Sequence, residues 1–343
     1  MVANVKRRII AWFLLNRVWQ SAMNVDGLKN LCWSVVLFIV VCPTSSYADD
    51  GVTVLTELPA VITASGTYRL DADLSFPRKS GAAVTIEADD VTLDLGGNSL
   101  LGSAATDTTA IGVRTNDRKR ISISNGTIRG FYFGIDINSP DRVDSRSTGH
   151  VIDGVALDAN TYFGIRLVGS ASTIEACHVN STGGSTLERH TIPHGVRLIG
   201  EGSVLRNCCI NDLHLKRFDD GRGEIVGVHF DAARGSHMEG NTIIERTTDA
   251  DDLFPVDEQR ERTFAVWVNG GPNKDTHLTV RNNRISGFTV PLAFTPGTDG
   301  EVTDNMFAGA DVVPIRGKPA SRLDQNVVHD DATIHECLTR SPE

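Results

Sequence analysis

Residues 280–307 read VRNNRISGFTVPLAFTPGTDGEVTDNMF, and this stretch contains the repeating unit that decides the fold. It begins with Val280-Arg-Asn-Asn-Arg-Ile285, and a segment of the same form, Val302-Thr-Asp-Asn-Met-Phe307, starts 22 residues later. The shared pattern is an apolar residue, two variable residues, an asparagine, one variable residue and a second apolar residue. Between the two copies lies Pro291-Leu-Ala-Phe294, a short motif in which apolar residues alternate with other residues.

The same two motifs recur along most of the chain. With asparagine, cysteine or glycine at the fourth position, the six-residue pattern also starts at Leu95, Ile123, Ile174, Leu205, Met238 and Leu323, and the copy that starts at Ile152 has Val155 there. The alternating motif also starts at Gly112, Gly134, Gly164, Gly195, Gly227 and Ala265. Each unit therefore holds two or three short strands, separated by turns that glycine and asparagine favour. Because one such unit cannot bury its own apolar face, we expect the units to stack into a solenoid.

The predicted fold class is all-β, a parallel β-helix of about nine to ten coils over residues 81–335. Residues 49–80 are expected to cap its N-terminal end, and residues 336–343 to form a short C-terminal tail. Leucine-rich repeats would be the competing solenoid, but their LxxLxLxxN register and their helical segment are absent from the sequence.

A column of asparagines adds a family resemblance: Asn98, Asn241, Asn283, Asn305 and Asn326. The column resembles the asparagine ladder of right-handed parallel β-helix proteins, the pectate-lyase-like superfamily. The resemblance covers nearly all of the chain after residue 48 and implies a structural role for these asparagines. It is specific for the fold and not for an activity, because the fold serves lyases, hydrolases, epimerases, tailspikes and adhesins.

Residues 1–48 are expected to be a signal peptide rather than part of the fold. Residues 31–42 form a run of twelve mostly apolar residues, which is too short to span a bilayer comfortably. Lys29 precedes the run, and Ala48 ends a segment typical of a cleavage site. A start at Met23 would also give a complete short signal, and a signal anchor that stays uncut is the alternative. We expect a secreted or periplasmic protein with no membrane association after cleavage.

Charge and cysteine content narrow the possible partners. The chain has 33 Lys and Arg against 43 Asp and Glu, a net charge of −10; the leader carries a net charge of +4, which leaves −14 for the rest. No nucleic-acid partner is expected, because such partners require a basic surface. Six cysteines in 343 residues do not form a disulfide scaffold. Cys177 and Cys208 share the turn position of consecutive coils, which leaves a disulfide and a reduced pair both open.

Most insertions beyond the basic repeat length are expected on one side of the predicted solenoid. Segments 181–193, 212–224 and 245–262 all follow an asparagine-turn strand and precede an alternating strand, while segment 138–148 lies on the opposite side. Long loops on a rigid scaffold commonly carry function. The family resemblance implies that these loops wall a substrate groove above the alternating strands.

Strand alternation predicts the floor of this groove. In segments such as Gly-Ile-Arg-Leu the apolar residues are expected to point inward, so that the glycine and arginine positions point outward and the glycines leave open space. The predicted outward row is Arg114, Asp136, Arg166, Arg197, His229, Trp267 and Ala293. Five coils of this row cover about 19 Å, room for roughly four sugar rings. His194 takes the position of Phe163 in the preceding coil and is expected to point inward, buried or at an edge.

The outward row predicts an acidic polysaccharide as the partner. Arg166 and Arg197 are predicted to hold sugar carboxylates through bidentate hydrogen bonds, and His229 is predicted to move a proton. These three are the predicted catalytic residues. The predicted substrate-binding residues are Arg114, Asp136, Trp267, Lys216 and His190. An ion pair between Asp136 and Arg166 across coils is the alternative for that pair.

The predicted reaction is removal of the C5 proton of a uronate, by a lyase or an epimerase, because that reaction needs a cation at the carboxylate and a proton-transfer group. A glycoside hydrolase is one alternative, although it needs paired carboxylates at a set separation, and the NTD and GHG motifs of polygalacturonases are absent. The DPHD motif of mannuronan epimerases is absent as well. A non-catalytic glycan-binding solenoid is the other alternative.

No cofactor is predicted with certainty, and the metal-binding residues are unknown. The acidic run Asp249, Asp251 and Asp252 could chelate Ca²⁺, as acidic clusters do in many pectate lyases, but it lacks an ordered ligand spacing. We expect a monomer.

Overall fold

The structure is a computed structural model that describes residues 51–140, 145–187, 192–214, 216–217, 223–246, 261–270, 276–308, 315–316 and 323–329. The predicted signal peptide and the predicted C-terminal tail lie outside these ranges. Within them, no helix is long and apolar enough to cross a membrane.

All regular structure in the described ranges is β-strand. The first strands are β1 Val52–Leu55, β2 Ala60–Ile62, β3 Gly66–Leu70, β4 Leu74–Ser75, β5 Ala82–Ile86, β6 Val91–Asp94, β7 Ser99–Leu101, β8 Ile111–Asn116, β9 Ile121–Arg129, β10 Phe133–Asn138, β11 Val151–Asp158, β12 Phe163–Val168, β13 Thr173–Glu175, β14 His178–Asn180 and β15 His194–Ile199. They are followed by β16 Val204–Arg206, β17 Cys209–Asn211, β18 Lys216–Arg217, β19 Gly223–Asp231, β20 Ser236–Glu239, β21 Thr242–Ile244, β22 Glu261–Asn269, β23 Thr276–Arg281, β24 Arg284–Ser286, β25 Val290–Phe294, β26 Thr298–Thr303, β27 Met306–Ala308, β28 Ile315–Arg316, β29 Leu323–Asp324 and β30 Val327–His329.

Two sheets run along the described region. The first, which we call the site sheet, has the order β2-β5-β8-β10-β12-β15-β19-β22-β25-β28, with β18 antiparallel to β19. The second holds two series, one from β1 and β3 to β29 and one from β4 and β7 to β30, which join in the long strands β9 and β11. Apart from β18, each strand pairs in parallel with its equivalent one unit later. This topology confirms the predicted parallel β-helix.

The parallel pairing already begins within residues 49–80, the segment expected to cap the solenoid. Strand β1 pairs with β3, and β2 pairs with β5, both in parallel. The first strands of both sheets therefore come from this segment.

A residue with left-handed backbone geometry comes directly before each asparagine of the repeat. Asn282 and Asp304, for example, have φ angles of 54° and 58°. Asn and Asp tolerate this region better than other residues with a side chain, because their short polar groups can bond locally. The single left-handed residue ends one strand and turns the chain into the next strand of the same coil.

The predicted asparagine ladder is present at four consecutive turns: Asn241, Asn283, Asn305 and Asn326. Oδ1 of each later asparagine accepts the backbone N–H and an Nδ2 hydrogen of the asparagine one coil before, at 2.9–3.0 Å. Asn98 stands without an asparagine neighbour and donates instead to the carbonyl oxygens of Leu70 and Gly96. The ladder satisfies polar backbone groups at turns that are otherwise buried.

Cys177 and Cys208 continue the ladder column in the two coils before Asn241. Both are buried free thiols, so the structure contains the reduced pair rather than the disulfide. The backbone N–H of Cys208 donates to Oδ1 of Asn241 at 2.9 Å. The hydrogen bond with Cys177, together with burial, raises the pKa of the Cys208 thiol well above its ordinary value.

The core is a continuous column of aliphatic side chains inside the coils. One coil contributes Ile165 and Leu167 from β12, Ile174 from β13 and Val179 from β14, all fully buried. Each such side chain contributes about 1.5–3 kcal/mol of hydrophobic free energy on burial. Because Ile165 and Leu167 point into this core, Arg166 between them points to the outer face of the site sheet.

Candidate functional site

The outward row predicted from strand alternation is a continuous ladder on the site sheet. Each member pairs with the next across neighbouring strands from β8 to β25, in the order Arg114, Asp136, Arg166, Arg197, His229, Trp267, Ala293. We call this set the charged row. Its side chains lie outside the core, as the alternation predicted.

The glycines beside the charged row point inward, and the prediction that they leave open space was wrong. A Cβ on Gly164 would lie 2.6 Å from Cγ1 of the core residue Val179 and 2.6 Å from the carbonyl oxygen of Gly195. A Cβ on Gly195 would lie 2.7 Å from Cγ2 of Ile210. Glycine is required here because the strand passes too close to the core and to the next coil for any side chain.

The residue before each of these glycines points outward and forms a second row beside the charged row. Phe133, Phe163 and His194 pair in register on β10, β12 and β15. Phe133 and Phe163 belong to a small apolar cluster that is separate from the core. The expectation that His194 points inward was therefore wrong: it is only 5% exposed, but it lies on the outer face. We call these three residues the ring row.

Ring contacts connect the two rows, because His194 of the ring row lies against His229 of the charged row with ring centroids 5.3 Å apart. The rings of Phe133 and Phe163 stack with centroids 5.1 Å apart, and Phe163 stacks on His194 at 4.7 Å. On the far side, His229 stacks on Trp267 at 4.7 Å with an angle of 6° between the planes. Each of the two imidazoles thus has an aromatic face against it, which holds the rings in one orientation.

Asp136 and Arg166 form a bidentate ion pair across β10 and β12. Nε and Nη2 of Arg166 donate to the two carboxylate oxygens at 2.7 and 2.8 Å. The Arg166 guanidinium also lies over the ring of Phe133, 4.5 Å from its centroid. The alternative considered for this pair is therefore observed, and Arg166 already holds a carboxylate of the protein itself.

Asp231 is the centre of a second, larger network. Its Oδ2 accepts Nε and Nη2 of Arg197 at 3.0 and 2.6 Å, and its Oδ1 lies 3.2 Å from Nε2 of His229. Nδ1 of His229 lies 3.2 Å from Nε2 of His194. We call Arg197, Asp231, His229 and His194 the outer network. His229 is 4% exposed, so the network is largely buried although it lies outside the core.

The hydrogen bonds indicate where the protons of the outer network lie. Nδ1 of His194 is 2.7 Å from the carbonyl oxygen of Ile192, which can only accept, so this nitrogen carries a hydrogen. A neutral His194 then offers a lone pair at Nε2, and Nδ1 of His229 is the donor to it. Nε2 of His229 lies 3.2 Å from Oδ1 of Asp231; the angles miss hydrogen-bond geometry, but the distance suits an ion pair with a doubly protonated ring. The arrangement favours an imidazolium at His229.

The charges of the outer network act on two pKa values. Burial, with the positive charges of His229 and Arg197, holds the pKa of His194 well below its ordinary value. Burial alone would raise the pKa of the Asp231 carboxyl, but the hydrogen bond and charge of His229 and the charge of Arg197 outweigh it and lower that pKa strongly. His194 is therefore neutral and Asp231 ionised at neutral pH, as the proton positions require.

The remaining predicted site residues are spread around the two networks. Trp267 is partly exposed and covers one face of His229. Nζ of Lys216 donates to the carbonyl oxygen of Ser185 at 3.0 Å, which ties two of the predicted loop insertions together. Arg114 lies at one end of the charged row. His190 lies outside the described residues.

A buried Ser–His pair lies away from the charged row. Nε2 of His150 is 2.8 Å from Oγ of Ser147, a contact similar to the nucleophile and base of a hydrolase. Nδ1 of the same ring accepts the backbone N–H of Ile121 at 3.3 Å, so Nε2 carries the hydrogen and donates it to Ser147. Burial also lowers the pKa of His150 to about 4. The pair therefore cannot activate the serine and has a structural role.

The acidic run proposed as a calcium site lies outside the described residues. In the part of the chain that the structure describes, no group of three or more His, Cys, Asp or Glu side chains could hold a metal ion.

Sequence reasoning missed the ring row because it carried strict alternation through the glycine. The chain bends there, so Phe163 and Ile165 point to opposite sides although they are two residues apart. The signal that could have shown this was a ring residue before the glycine in consecutive coils, at Phe133, Phe163 and His194.

No protein-family model matches the sequence, and no curated protein matches it. A mutant tailspike protein of the E. coli bacteriophage HK620 is 13% identical, with a TM-score of 0.49 over 77% of this chain and 49% of the tailspike chain. A GH136 lacto-N-biosidase from Eubacterium ramulus is 12% identical, with a TM-score of 0.46 over 81% of this chain and 61% of that one. An alginate lyase from Paenibacillus sp. is 11% identical, with a TM-score of 0.42 over 79% of this chain and 99% of that one. This chain thus spans about half the length of the tailspike protein. At these identities the similarity concerns the fold alone.

Proposed function

We propose that the protein is a secreted or periplasmic carbohydrate-active protein, and that it acts on an acidic, uronate-containing polysaccharide along the outer face of the site sheet. The observation that carries the proposal is the outer network. Burial of the charged groups of this network costs free energy that an apolar face would avoid, which favours a functional reason for their presence. Strongly shifted pKa values from burial and specific partners are typical of functional sites.

The chemistry that fits this network is removal of the C5 proton of a uronate. In the lyase form, a base from the loop insertions, for which Lys216 and His190 are the candidates, takes the C5 proton, the electron pair forms the C4–C5 double bond, and the C4–O bond breaks. The leaving oxygen then needs a proton, which an imidazolium at His229 can supply. In the epimerase form, a proton returns to C5 from the opposite face. Asp231 and Arg197 orient His229 in both.

Glycoside hydrolysis is less well supported by the carboxylates of the outer face. Asp136 and Asp231 lie three coils apart, on β10 and β19, a separation of about 14 Å at the strand spacing. Inverting and retaining glycosidases need carboxylates closer than about 10 Å.

Non-catalytic glycan binding is the second candidate function, and a specific observation favours it. His229 is only 4% exposed, and Arg166 and Arg197, which were predicted to hold sugar carboxylates, are paired with Asp136 and Asp231. A polysaccharide could therefore bind the outer face without contact with the imidazolium.

The test is incubation of the purified protein with a panel of polyuronates, followed by ultraviolet absorbance of unsaturated products and by NMR for epimerised sugars. We expect product from at least one polymer, loss of turnover with retained binding for His229→Ala, and wild-type turnover for His237→Ala, which changes an exposed histidine of the other sheet. Binding without product by the wild type would favour the non-catalytic candidate. Failure to bind any polyuronate would reject an acidic polysaccharide as the partner, in the catalytic and in the non-catalytic form alike.

A further inference from the structure

Arg114 is the cation of the charged row that the protein leaves without an anion. Its guanidinium has no hydrogen bond or ion pair within the described part of the chain, and its Nε is buried without a partner. Arg166 and Arg197, by contrast, each hold a carboxylate.

The neighbours of Arg114 explain why it stays unpaired. Asp136 faces it across β8 and β10, but both oxygens of that carboxylate accept from Arg166. The neighbour on the other side, Thr85 on β5, carries no charge. Arg114 as a whole is partly exposed, so an anion from outside could pair with the charge that the protein leaves unpaired.

An apolar surface lies beside this cation. Ile111, three residues before Arg114 on β8, packs against the cluster of Tyr132, Phe133 and Phe163, and so does Tyr162. Ile111 and Tyr162 are partly exposed. Apolar and aromatic faces next to a fixed cation suit a sugar ring that carries an acidic group.

We propose that Arg114, rather than Arg166 or Arg197, binds the carboxylate of a uronate residue, with that sugar ring lying against Ile111 and Tyr162. The inference rests on the proposed function and assigns the anion-binding position within it. Because the guanidinium is unpaired before binding, no ion pair of the protein has to break. A bidentate contact is available to its fork of donors.

The test compares dissociation constants for an oligouronate that the wild type binds. Arg114→Gln should bind it about 10- to 100-fold more weakly, because a charge-assisted hydrogen-bonded pair is lost. The dissociation constant of Arg114→Lys should lie between those of the wild type and Arg114→Gln, since lysine keeps the positive charge and loses the planar set of donors of the guanidinium. Arg129→Gln is the matched control, because Arg129 is an exposed arginine of the other sheet, and it should bind like the wild type.

Two further ligands separate the possible outcomes. The same oligosaccharide with its carboxylates reduced to alcohols should bind the wild type and Arg114→Gln equally. A sulfated neutral oligosaccharide should bind weakly to both. If Arg114→Gln binds the oligouronate as tightly as the wild type, this inference is wrong while the proposed function stands. If Arg114→Gln instead loses binding of the sulfated ligand, the site takes sulfate esters and the uronate assignment is overturned. A wild type that binds no polyuronate rejects the proposed function and this inference together.

Discussion

The asparagine ladder crosses four coils and the outer network joins two neighbouring coils; both are buried polar clusters, but they are built in opposite ways. The ladder repeats one neutral residue, and each asparagine bonds to the backbone and to the next asparagine. The outer network combines a histidine and an arginine on β15 with a histidine and an aspartate on β19, and their charges balance only as a set. Repetition of one residue along consecutive coils indicates a structural requirement that those coils share. A set of residues that is not repeated from coil to coil, on a face that all coils share, indicates a requirement that is specific to that position.

The energetic consequence differs accordingly. Loss of one asparagine leaves neutral groups unpaired, whereas loss of one carboxylate leaves charged groups unpaired in a buried place. Four experiments, three with substitutions and one with a change of pH, test how much burial and charge decide the stability contribution of a polar group. They are given from the largest expected effect to the smallest.

Asp231→Ala should give the largest loss of stability. It leaves Arg197 and His229 without their shared anion, and breaking a buried pair of this kind costs about 3–5 kcal/mol. We expect the lower end, because the Arg197 side chain is 21% exposed. The measurement is the free energy of unfolding in urea. Asp153→Ala, which removes an exposed carboxylate of β11, is the control and should change little. Equal losses in both variants would show that the network has no special energetic weight.

Asn283→Ala should lower the free energy of unfolding by about 2–3 kcal/mol, because it leaves the buried N–H of Asn241 without its acceptor. Asn98→Ala is the matched comparison, since Asn98 occupies the same turn position without an asparagine neighbour, and its loss should be smaller. The effects of Asn283→Ala and Asn305→Ala should not add, because the two side chains bond to each other. Full additivity would contradict a cooperative ladder.

The sequence predicted the ladder and the charged row for a physical reason. Both follow from period-2 alternation and from one repeated turn, which act locally and appear in every coil. Asp231 contacts Arg197 on the neighbouring strand and His229 two residues before it on β19, and neither contact has a spacing that repeats in the other coils. The bend at Gly164 and Gly195, which turns His194 outward, is marked in the sequence only by a ring residue before the glycine, and strict alternation takes no account of that signal. Those features depend on side-chain contacts between coils, which one sequence does not encode as a period.

Acidification should destabilise the protein through His150. Its folded-state pKa is about 4, below the value of about 6.5 in an unfolded chain. The unfolded state therefore takes up a proton first, and stability falls as the pH drops from about 6.5 towards 4, by about 2 kcal/mol at pH 5. His194 acts in the same direction.

Unfolding in urea as a function of pH, with His150→Asn, isolates this contribution. The asparagine can accept the N–H of Ile121 but does not titrate, so the slope between pH 6.5 and 4 should become shallower than in the wild type. His237→Asn, at an exposed position, should keep the wild-type slope. An unchanged slope for His150→Asn would mean that His150 does not control acid stability.

The smallest effect is expected where charges stack across coils but face water. Glu175 and Arg206 are neighbours on β13 and β16, with Nη2 of Arg206 donating to Oε2 at 2.6 Å. Their side chains are 30% and 49% exposed, so water and salt screen the pair, and two long side chains lose freedom to form it. Glu175→Gln should therefore leave the melting temperature unchanged within error in physiological salt, although the distance is as short as that of Arg197 to Asp231. A clear loss of stability in Glu175→Gln would show that the stacking of charges along the solenoid, rather than their burial, decides how much an ion pair stabilises the protein. The contrast between the buried outer network and the exposed Glu175–Arg206 pair would then no longer hold.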